Sequence, residues 1–132
     1  MALTLHSHPG RPFSLVERVG SPAIWFAFLG GPLAWTAHFL ATYGFVYVTC
    51  ATGLGLLLYL PTLVAVPVVV ASGIVAWRLW QRPLSDPGTS RFSEARTRFF
   101  GLASLIMNAI FLLAILLQGA SPLFLDACGV AP

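Results

Sequence analysis

Charge is absent from two long stretches of this chain. Residues 19 to 77 contain no Asp, Glu, Lys or Arg, and neither do residues 99 to 125. Roughly 20 apolar residues suffice to cross a bilayer, so the first run is long enough for two crossings and the second for one. The pattern predicts an all-α membrane protein in which residues 1–132 form one membrane domain. Its transmembrane helices fall at about 22–48, 54–79 and 93–118, with a polar leader at 1–20 and a tail at 119–132. Ser21-Pro22 supplies a capping side chain followed by a proline in the tolerated first turn. Pro61 and Pro67 both fall inside the second helix and predict a bend there. Pro83 and the Ser-Asp-Pro-Gly stretch at 84–88 end that helix, and Glu94 favours the first turn of the third.

All seven basic residues are arginines. With an odd number of spans, Arg11 and Arg18 lie on the same side as Arg78, Arg82, Arg91, Arg96 and Arg98. The positive-inside rule assigns that side to the cytoplasm, which makes the N-terminus cytoplasmic and the C-terminus periplasmic in a bacterial inner membrane. The leader reads as a start-transfer anchor, since no small-residue cleavage site follows it at the usual distance. A net charge of +3 suggests nucleic acid only until this positional bias is noticed, so no nucleic-acid partner is expected. Trp25, Trp77 and Trp80 fall at the arginine-bearing ends of the spans and Tyr43, Tyr47 and Tyr59 at the other ends, as two interfacial belts in contact with lipid.

Small and polar residues then distinguish the faces. Gly30, Ala34, Ala37, Ala41 and Gly44 recur at alternating spacings of four and three, forming a small-residue stripe along which helix backbones approach in lipid. The stripe serves a seam within the chain or a docking face for another subunit. Trp35, Phe39 and Val46 are then expected on the lipid-facing side. His38 is the ionisable group within a span, and such groups are functional candidates. Three roles are open to it: a hydrogen-bonded structural residue, one axial ligand to a haem shared with another subunit, or a quinone contact or proton-relay member. On helical rise, His38, Asn108 and Thr62 fall at one depth and predict a buried polar layer, with Asn108 facing a partner as the alternative. Cys50 and Cys128 share the side opposite the arginines, where an oxidising compartment favours a disulfide.

No nucleophile with its base, carboxylate pair, phosphate loop or metal motif is present, so no catalytic or metal residues are assigned. Glu17, Asp86, Glu94 and Asp126 all lie outside the spans, and a cation-coupled transporter would lack its usual membrane carboxylate. Gly31-Pro32-Leu33-Ala34-Trp35, followed by His38, Tyr43 and Cys50, resembles small membrane proteins associated with bacterial haem-copper cytochrome c oxidases and related respiratory complexes. The resemblance implies a non-catalytic accessory subunit with no cofactor of its own, whose partners are other membrane subunits carrying the haem and copper. A small oligomeric transporter or channel is the alternative. A polar path through the chain's own helices would favour it, whereas polar groups closed upon one another favour the subunit.

Overall fold

A computed structural model describes residues 15–81, 91–126 and 128–129, with side chains from Pro22 and, after the loop, from Ala95. The leader with His6, His8 and Arg11, and the turn at 82–90 with Pro83 and Asp86, lie outside the described residues. Three α-helices follow in order, α1 (Leu15–Thr52), α2 (Leu60–Trp80) and α3 (Arg91–Ala120). Short 3-10 turns cover Gly55–Tyr59 and Ser121–Leu123, and regular structure among the described residues is entirely helical. Three segments, Pro22–Thr52, Gly55–Trp80 and Ala95–Leu123, are long and apolar enough to cross a membrane.

The helix ends depart from the sequence expectations for identifiable reasons. The Ser21-Pro22 signal is overridden, and α1 runs back through Pro22 to Leu15. At its other end α1 continues past residue 48 until Gly53, whose φ of +74° suits glycine and little else. The Gly53 amide donates to the Thr49 carbonyl at 2.8 Å and closes the last turn. The two α2 prolines are not equivalent. Pro61 lies in the first turn, where its missing N–H has no carbonyl to serve, and only Pro67 is interior. The exposed Pro67 ring leaves the Leu63 carbonyl without its usual donor.

Close contact between the helices is made at glycines. A Cβ on Gly30 would lie 2.5 Å from Ser72 Cβ, and one on Gly31 2.7 Å from Asn108 Oδ1. A Cβ on Gly101 would meet the Trp80 backbone nitrogen at 2.8 Å, and one on Gly119 the Thr62 side chain at 2.7 Å. Small apolar clusters fill the remainder, one of Ala34, Ala65, Val69 and Ile115 and another of Ala27, Ala76 and Leu79. The larger leucine, phenylalanine and tyrosine side chains point mainly outward. Such a bundle is held by backbone proximity and polar contacts more than by a bulky core, as expected where lipid is as apolar as leucine.

The helices are staggered along the bundle axis. Gly119, near the end of α3, abuts Thr62, which hydrogen-bonds His38 of α1. Helix α1 therefore overhangs α3 by about three turns. The segment after α3 returns along this overhang, and Cys128 forms a disulfide with Cys50, with 5.6 Å between their Cα atoms.

Gly101 meets backbone atoms that cannot rotate away, whereas nothing lies within 4 Å of a Cβ on Gly44. Gly101→Ala should therefore destabilise the bundle by about 1–3 kcal/mol, the usual cost of overpacking, and Gly44→Ala should be neutral or slightly favourable. Reversible unfolding in mixed micelles measures both, and equal effects would contradict this packing. Non-reducing peptide mapping of protein prepared without reductant should recover the Cys50–Cys128 peptide. Reduction should raise amide exchange in residues 121–129 while leaving the amides around Asn108 protected.

Candidate functional site: two polar nodes inside the bundle

The polar side chains form two separate nodes. The first is centred on Asn108, which is 3% exposed and bonded to all three helices. Its Nδ2 donates to the Ala27 carbonyl of α1 at 2.7 Å and to the Ser104 carbonyl one turn back on α3 at 2.8 Å. Its Oδ1 accepts the Ser72 hydroxyl of α2 at 2.6 Å. Both amide hydrogens are thus used and the oxygen is met by a donor, so the group is satisfied without water. Gly30 and Gly31 make this geometry accessible, because Ser72 and Asn108 occupy the space two side chains would fill. Ser72 also lies 3.0 Å from the Val69 carbonyl, but its single hydrogen is better used on the shorter contact.

The second node lies toward the cysteine end. His38 is 2% exposed, and its Nε2 is 3.0 Å from Thr62 Oγ1, with the Gln118 side chain alongside. Glycine again admits the contact, since Thr62 packs directly on Gly119. Nδ1 of His38, together with Oγ1 of Thr42 and of Thr49, is buried without a hydrogen-bond partner among the described residues. These groups follow one another up a single side of α1. Thr36 and Thr52, by contrast, return their hydroxyls to Pro32 and Val48 carbonyls.

The single layer of His38, Thr62 and Asn108 expected from sequence is therefore divided. His38 and Thr62 do meet, whereas Asn108 is placed beside Ala27 and Gly31, two to three turns deeper along α1. The expectation aligned the outer ends of α1 and α3, and the overhang of α1 invalidates that alignment. The small-residue stripe also divides. Gly30 and Ala34 are buried in the seam, Ala37 and Ala41 line an apolar groove between α1 and α2, and Gly44 faces open space. Trp35 does not belong to the lipid-facing side. It turns toward α3, its ring 5.8 Å from Phe111, and packs on the Ala34 cluster.

His38 thus spends Nε2 on Thr62, while its ring also lines the apolar groove between α1 and α2. Among the described residues no three His, Cys, Asp or Glu side chains gather as a metal site. Ser72, Ser104, Ala27, Gly119 and Gln118 are site residues outside the sequence expectations, and Gly31 was expected only as part of the helix 1 motif. Comparison with protein-family models, curated proteins and solved structures finds no match for this chain.

Asn108→Ala should cost about 2 kcal/mol, since two interhelical bonds of roughly 0.6–1.7 kcal/mol each are lost. His38→Leu removes one such bond and should cost about 1 kcal/mol. Unfolding of both variants in the same micelles tests the order, which reverses if the His38 node holds the helices together.

Proposed function

We propose that this chain is a non-catalytic accessory subunit that stabilises a bacterial respiratory complex, either a haem-copper cytochrome c oxidase or a larger assembly containing one. The carrying observation concerns the helix 1 motif on which the resemblance rests. Gly31 seats Asn108, Ala34 fills the core, Trp35 packs on Phe111, His38 bonds Thr62 and Cys50 bonds Cys128. These residues are engaged in holding the bundle. A channel or transporter reading receives less support, because the Asn108 node is closed upon itself and no span carries a carboxylate.

The proposed setting is the inner membrane, with the arginine end in the cytoplasm and the disulfide end in the periplasm. Two physical arguments agree on this orientation, the positive-inside bias and the oxidising compartment a disulfide favours. Trp25 and Tyr43 on α1, like Trp77 and Tyr59 on α2, are separated by about 27 Å at the helical rise, close to the ~30 Å hydrocarbon thickness. The outward apolar side chains then face lipid or neighbouring subunits, which would carry the haem and copper.

Deleting the gene should lower the yield of the parent complex while reducing turnover per remaining haem only modestly. Mild-detergent purification through a C-terminal tag, read by mass spectrometry and a haem absorption spectrum, identifies the complex. Specific substrate flux by the isolated protein in liposomes would overturn the proposal in favour of an oligomeric transporter.

A further inference from the structure

Helices α2 and α3 flank an apolar groove of about 330 Å3, lined by Val70, Gly73, Ile74, Trp77, Leu105 and Ala109 among others. Gly73 differs from the glycines of the helix seams. A Cβ there would find its nearest neighbour, Asn108 Cβ, at 4.0 Å, an ordinary contact, so helix packing does not require its absence. What the missing side chain provides is the depth of the groove.

The groove is electrically asymmetric. Arg78 follows Ile74 by one helical turn and Arg98 precedes Leu105 by two, so beyond the lined stretch Arg98 continues the α3 wall of the groove and Arg78 stands at the margin of its α2 wall. Both are exposed, as is Trp77. Asp126, the one acid whose side chain is described, is at the opposite end beside the disulfide. An apolar slot that ends in an aromatic ring and two guanidinium groups is complementary to an apolar tail that ends in an anion.

We propose that this groove binds an anionic phospholipid, with one acyl chain along Val70, Gly73 and Ala109 and the phosphate between Arg78 and Arg98. Guanidinium forks suit phosphate oxygens, and basic recesses between transmembrane helices favour anionic headgroups. The indole of Trp77 then lies at the level where chain meets headgroup. This inference is independent of which complex the chain belongs to.

Full-length protein, delipidated in mild detergent and titrated with phosphatidylglycerol or phosphatidylcholine, tests it by native mass spectrometry. One phosphatidylglycerol should be retained at roughly tenfold lower concentration than phosphatidylcholine, a difference that corresponds to about 1.4 kcal/mol. Arg78→Gln combined with Arg98→Gln should erase the preference. Gly73→Leu, which fills the groove without changing charge, should weaken retention of both lipids. Arg96→Gln is the control, because Arg96 lies over the Phe100 ring at 5.7 Å and is half a helical turn away from Arg98. Equal retention of the two lipids by the unaltered protein would overturn the site. So would unchanged retention in Gly73→Leu, or equal losses from Arg96→Gln and Arg98→Gln, which would indicate diffuse surface charge.

Discussion

The fold depends on one constraint: a carboxamide placed deep in an apolar bundle must find all its partners inside it. Asn108 does so by drawing in a carbonyl from α1, a hydroxyl from α2 and a carbonyl from its own helix. Each partner is on a different element, so meeting the constraint fixes rotation and axial position of all three helices together. The glycines follow from it, because the amide reaches the α1 backbone only where Gly30 and Gly31 leave room. An apolar residue at 108 would remove the polar contacts that set this register and leave it to the glycine contacts, the His38–Thr62 bond and the small apolar clusters.

How much of this was legible in the sequence differs by level. The three spans follow from uncharged length, a signal that summed over dozens of residues and tolerates local error. Helix ends were less legible because competing local signals decide them. Ser21-Pro22 reads as a start, yet continued helix through Pro22 prevails, whereas Gly53 stops α1 through its left-handed backbone. The pairing of Cys50 with Cys128 was visible from parity alone, because two crossings separate them.

The interior was legible in kind and not in register. Asn108, His38 and Thr62 stand out as polar residues among apolar ones, and His38 does meet Thr62. Their common depth failed because it assumed helices of equal reach, and the overhang of α1 is a tertiary fact set by where α3 ends and the tail turns back. Ser72, Ser104 and the Ala27 carbonyl were beyond reach for a different reason. Serine and backbone carbonyls are ordinary features of any helix, and only a partner's position distinguishes them. Glycines carried a usable signal, since four of them mark close approaches, but of these only Gly30 belongs to the periodic stripe at 30 to 44.

The disulfide has a consequence for how the protein is made. Its two cysteines flank α2 and α3, so in the proposed topology they reach one side of the membrane only after both helices have crossed. A chain in which either helix failed to insert would hold its thiols in different compartments and could not join them. Covalent closure thus separates chains in which α2 and α3 cross together from those in which only one of them has crossed. Once closed, the link also keeps α3 from withdrawing, because its trailing end is tied to a helix already anchored in the bundle.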